Sequence, residues 1–153
     1  MGFADRLTKL DLKLPALAMP VANYVPYKLV GKYLYLSGMI PIVNGEPLHT
    51  GHLGADITVE QGQECARQCV MNALAWVHEA LHGDMERVLE VLQVRGFVAC
   101  TADFTAHPKV LNGASDLLVE LLGERGKHTR VAVGAPSLPL GVPVEIDFLF
   151  GIL

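Results

Sequence analysis

With 153 residues, 51 % of them hydrophobic and only 18 % charged against about 25 % in a typical domain, the chain is sized for one domain. It also holds more apolar side chain than one small core absorbs. A net charge of −4 with no Lys/Arg run argues against nucleic-acid binding, and no apolar run is long enough to span a membrane. The apolar surplus predicts a homo-oligomer that buries it between subunits.

The N-terminus lacks an apolar signal core, and Cys65, Cys69 and Cys100 make an odd count. Both features predict a cytoplasmic protein with free thiols. Residues 3–10 read as a short helix. Residues 11–23, interrupted by Pro15 and Pro20, read as an extended arm leading into a single domain that completes 1–153. Two β-type runs follow, Tyr24–Val30 and Lys32–Ser37, with Gly31-Lys32 as the hairpin turn. Residues 43–56 are rich in Gly, Pro and Asn and read as a long loop.

Thr58 with Gln61 is a capping box opening the first main helix, whose buried stripe runs through Ala66, Val70, Ala73 and Val77. Gly83 is the expected stop, and Asp84 the cap of one further turn. A strand is predicted over 91–101. A second helix is predicted over 108–122, with Pro108 at its first position and Gly123 and Gly126 at its exit. The last strands are predicted over 130–135 and 144–152. The order β-β-α-β-α-β-β contains two β-α-β crossings, and right-handed crossovers put both helices on one face of a mixed sheet. The other face is left bare, in keeping with the apolar surplus.

Chemistry concentrates in the last quarter. Arg130 and Glu145 lie fifteen residues apart, each a charge in an apolar run. Arg offers a planar fork that fits a carboxylate or phosphate, and Glu can move a proton or orient water. The alternatives are an internal Arg–Glu ion pair or two unrelated residues on solvated strand faces. Six histidines raise a metal reading, above all His49/His52 in the loop and His78/His82 on the helix. No Cys-x-x-Cys or His-Glu-x-x-His accompanies them, so no metal is expected.

Thr129-Arg130-Val131, Leu138-Pro139 and Val144-Glu145-Ile146 together resemble the Rid family (YjgF or RidA-like, also termed L-PSP endoribonucleases). Leu36-Ser37-Gly38-Met39-Ile40-Pro41 is similar to its Ser-Gly-Gln-Ile-Pro segment. The stretch from Val110 to Leu118 further resembles a longer bacterial branch. The resemblance covers about Tyr24 to Ile152. It implies an α+β, chorismate-mutase-like fold of the Bacillus type and a homotrimer with clefts between subunits. It also implies hydrolytic deamination of small 2-imino or enamine acids without a cofactor. On that reading Arg130 grips a carboxylate and Glu145 positions water or relays a proton. Tyr24, Ser37, Gly38 and Asn112 complete the substrate site. The chain departs from the family pattern at Met39, where Gln is usual, and at Ala132, where Cys is frequent. The departures keep open a carboxylate-metabolite binding module without chemistry. The family's endoribonuclease label alone implies an endoribonuclease or translation inhibitor, against which the acidic chain without a basic patch argues.

Overall fold

The computed structural model describes residues 1–153. Its frame is a five-stranded sheet in the order β1-β2-β7-β5-β6. The strands are β1 (Tyr27–Val30), β2 (Tyr33–Leu36), β5 (Val88–Ala99), β6 (Thr129–Ala135) and β7 (Val144–Ile152). A small hairpin, β3 (Ile42–Val43) and β4 (Glu46–Pro47), stands apart. All pairings in the main sheet are antiparallel except β5 with β6. Both β2 and β5 run antiparallel to the strand between them, β7, so they run parallel to each other. The helix α2 (Val59–Ala80) makes that crossing, and α3 (His107–Leu122) makes the one from β5 to β6.

Both helices form as their sequences dictate. Thr58 Oγ1 accepts from the Gln61 N–H, and the Gln61 side chain accepts from the Thr58 N–H, at 3.1 and 2.9 Å. Cys65, Cys69, Ala66, Val70, Leu74 and Val77 are buried on the inner side of α2, and Leu111, Ala114, Leu118 and Leu121 on that of α3. They meet Leu34, Val94, Val98, Ile146, Phe148 and Phe150 of the sheet in one cluster of 33 buried residues. Trp76 belongs to it and packs on Tyr27 at 6.1 Å between ring centroids. The opposite sheet face carries Tyr33 and Tyr35, 52 % and 50 % exposed, with exposed Val131 and Val133. Asp147, also on that face, is held by Arg95 in a bidentate pair with both distances 2.8 Å. No helix of this chain covers it.

Several expectations need correction. The 43–56 segment is not loop throughout. Asn44-Gly45, both with positive φ (52° and 82°), makes the turn of the β3–β4 hairpin. Strand β1 begins at Tyr27, so Tyr24 lies outside it, in the arm. Strand β5 starts at Val88, because its first residues reach Ile152 through two register shifts in the β5–β7 pairing. Pro108 is the second residue of α3. Asp84 precedes the expected short turn, Met85–Arg87, but its side chain makes no cap bond. The lead helix α1 (Phe3–Lys9) is present and anchored: the Phe3 ring is buried and its N–H donates to Glu86 Oε1 at 3.1 Å.

Candidate functional site

Arg130 is placed by register. On β6 it pairs with Val94, a fully buried residue, so its side chain leaves on the helix-covered side. Because β6 is an edge strand, the guanidinium emerges over the flank of α3. One terminal nitrogen donates to Asn112 Oδ1 at 2.9 Å and to Ser115 Oγ at 3.1 Å. Asn112 and Ser115 are three apart on α3 and share a face. Asn112 was expected in the site; Ser115 was not. The remaining edge of the guanidinium, Nε and the other terminal nitrogen, makes no bond within the chain and forms an open fork for a planar anion.

Behind Ser115 stands His128, half-buried, with Nε2 2.9 Å from Ser115 Oγ and Nδ1 2.6 Å from the Gly126 carbonyl. Burial pushes the His128 pKa down, and the Arg130 charge adds to that, against the Gly126 carbonyl, which favours the protonated ring.

Glu145 sits elsewhere. It pairs with Phe97 between the buried Val144 and Ile146, so it points to the helix-free face. Its carboxylate lies against Gly38, where a Cβ would collide with it. Burial raises the Glu145 pKa, and Asp147 on the same face raises it further. Ser37 Oγ donates to the Val25 carbonyl at 2.6 Å and fastens the arm just after Tyr24, which is 59 % exposed. Tyr24, Ser37, Gly38 and Glu145 thus belong to one neighbourhood, and Asn112 and Arg130 to another. Arg130 and Glu145 form no ion pair. Strand β5 separates their strands, about 10 Å of sheet, and they leave it on opposite faces.

The two residues that depart from the family pattern both lie against the core. Met39 is buried in the core cluster, with its backbone paired to Ile146 at 2.7 and 3.0 Å. Ala132 lies two residues beyond Arg130 on the same side, opposite Gly96 and packed against the core. The loop histidines do not pair with each other. His49 Nε2 meets Glu64 Oε2 at 3.0 Å, and His52 Nε2 donates to the Pro136 carbonyl at 2.8 Å. No three His, Cys, Asp or Glu side chains gather as metal ligands. A contact the sequence did not reveal joins Cys100 Sγ to His107 Nε2 at 3.4 Å, beside Gly134 in a cleft of about 370 Å³.

Residues 4–153 match the family model described as "YjgF/chorismate_mutase-like, putative endoribonuclease". Protein TCP17 of Trypanosoma cruzi is 43 % identical over 147 residues, 95 % of this chain and 91 % of that protein. The structure of Atu1372 from Agrobacterium tumefaciens, a protein of unknown function, superposes with a TM-score of 0.93 at 41 % identity. The match covers 99 % of this chain and 92 % of that one. A Shewanella oneidensis protein named a "putative endoribonuclease" superposes with a TM-score of 0.94 at 35 % identity, covering 99 % and 100 % of the two chains.

Proposed function

The chain belongs to the YjgF/chorismate-mutase-like family, the Rid family of the motifs above, and on that premise we propose that it hydrolyses small 2-imino acids to 2-keto acids and ammonia. The reaction takes place in a cleft between subunits of a homotrimer. The observation that supports this reading most directly is the division of the site into halves. One half is an open guanidinium fork at a sheet edge. The other is a carboxyl of raised pKa beside a glycine on the uncovered face. Neither is complete in one chain, and the Arg130 half of one copy closes on the Glu145 half of the next.

In this mechanism the fork of Arg130 takes the substrate carboxylate in two parallel bonds. Glu145 accepts a proton from water as the oxygen adds to the C=N carbon of the protonated imine, giving the neutral carbinolamine. Glu145 then gives that proton to the carbinolamine nitrogen, the C–N bond breaks, and the hydroxyl proton goes to the departing ammonia, leaving the ketone and ammonium. An enamine substrate first tautomerises to the imine. The C=N carbon is already electrophilic, so orientation and proton transfer carry the reaction. A carboxyl of raised pKa suits both proton roles near neutral pH.

The test generates 2-aminoacrylate and 2-iminobutanoate in situ with an amino-acid dehydratase and follows imine loss. Wild type accelerates it, and Arg130→Ala, which no longer holds the carboxylate, falls to the uncatalysed rate at the same substrate concentration. Equal turnover by the two proteins would refute the mechanism. The second reading, a binding module, is favoured by the two departures from the family pattern, Met39 for Gln and Ala132 for Cys. It requires carboxylate binding with no turnover. Endoribonuclease activity is the weakest fit, since 16 acidic residues outnumber 12 Lys and Arg.

A further inference from the structure

The donor count around Ser115 fixes a direction. The Gly126 carbonyl only accepts, so the His128 Nδ1 facing it at 2.6 Å carries the proton. Neutral His128 therefore presents a bare Nε2 to Ser115 Oγ at 2.9 Å, and the Ser115 hydroxyl proton points there. The lone pairs of Ser115 are left to face Arg130, whose nitrogen donates to them at 3.1 Å. Every hydrogen in the chain from Gly126 through His128 and Ser115 to Arg130 has one place to go. Two periodicities build it: His128 and Arg130 are two apart on the extended chain, and Asn112 and Ser115 are three apart on α3.

Nothing else competes for these groups. Arg130 is the charged group acting on His128. The charges of the adjoining turn are paired elsewhere, Lys127 with Glu124 at 2.9 Å and Arg125 with Glu86 at 3.4 Å. A guanidinium on an exposed edge strand otherwise samples many rotamers, and each it abandons on binding costs affinity.

We infer that Ser115 and His128 are positioning residues: with Asn112 they clamp one edge of Arg130 so that its other edge is presented as a preformed carboxylate fork. The inference rests on the carboxylate role of Arg130 proposed above, but not on turnover. Held this way, Arg130 gives affinity for the carboxylate rather than speed of the chemical step.

The experiment compares wild type with Ser115→Ala, Ser115→Thr, His128→Phe and Arg130→Ala. Two quantities are read: affinity for 2-oxobutanoate by calorimetry, and kcat and KM for 2-iminobutanoate. Ser115→Ala and His128→Phe weaken 2-oxobutanoate about tenfold and raise KM to match, with kcat unchanged within about twofold. Ser115→Thr, which keeps the hydroxyl, stays near wild type, and Arg130→Ala loses binding. The ¹⁵N shifts of His128 in wild type at pH 7 report the Nδ1–H tautomer; that arm needs no variant to fold.

The Nε2–H tautomer, or wild-type affinity in Ser115→Ala, would overturn the clamp. Binding without turnover in wild type would overturn the deaminase reading alone. No carboxylate binding by wild type would overturn both.

Discussion

At Glu145 the proposed proton-transfer role and stability oppose each other. Its carboxyl is half-buried and its folded pKa is raised above the ordinary 4.5, chiefly by burial and then by Asp147. A raised carboxyl pKa means that folding disfavours the charged form. The cost is absent below the unfolded pKa and fully present above the folded one. Glu145→Gln is therefore expected to melt about 1–3 °C higher than wild type at pH 7, with the gap closing as pH falls toward 4.5. Its imine turnover drops at least about a hundredfold, and calorimetric scans beside the kinetic assay check both halves.

His128 works with the opposite sign. Its folded pKa is depressed below 6.5, so its stabilising contribution is whole above pH 6.5 and is lost as pH falls below that value. Melting temperature followed from pH 7 to 5 should fall more steeply in wild type than in His128→Phe.

The three thiols separate by burial as well. Cys65 and Cys69 are fully buried, and burial pushes the Cys65 pKa up to about 12 and that of Cys69 well above its usual value. Cys100 is only partly buried and borders a cleft. Maleimide added to native protein labels Cys100 alone, and mass mapping of the labelled peptides reads this directly.

Among the elements, the contact between α2 and α3 positions Asn112 and Ser115. The two helices approach at Gly113, where an added Cβ would run into the backbone of Gln63, 2.8 Å from its Cα. Gly113→Ala gains about 1 kcal/mol of helix propensity, but overpacking against immobile backbone costs about 1–3 kcal/mol. The clash wins because a backbone cannot swing aside as a side chain does. The variant is expected to unfold at lower urea than wild type and to bind carboxylate more weakly, since pushing α3 off α2 also shifts Asn112 and Ser115 against Arg130 on β6. An unchanged midpoint would show that α3 slides without loss.

For the whole molecule, the decisive feature is the uncovered sheet face. Tyr33, Tyr35, Val131 and Val133 present an apolar surface around the Arg95–Asp147 pair, and no element of the chain shields it. The proposed trimer would cover this face with copies of the chain, taking up the apolar surplus and completing the divided site. Tyr35→Glu places a charge in that proposed contact and is expected to shift the sedimenting species toward the 16.5 kDa monomer. It should also abolish imine turnover although Arg130 and Glu145 are untouched. A monomeric variant that kept full activity would refute a site shared between subunits.

The sequence by itself determined the elements and the types of chemistry available. Thr58 and Gln61 specified their capping box, and the spacing of Ala66, Val70, Ala73 and Val77 specified a buried helix face. Arg130 stood out as a candidate anion anchor from its residue type and family spacing. Its orientation was not legible. In Thr129–Ala135 the large apolar residues are Val131 and Val133, and burying them would turn Arg130 outward with the bare face. The pairing of β6 with β5 does the reverse, setting Ala132 against Gly96 and Arg130 against Val94. A strand's alternation shows which residues share a face, but only register against its neighbour decides which face is covered. For the same reason only the tertiary structure brought Ser115 and His128 to Arg130 and sent Arg130 and Glu145 to opposite sides. Those relations depend on how helix and strand periodicities mesh across elements distant in the chain.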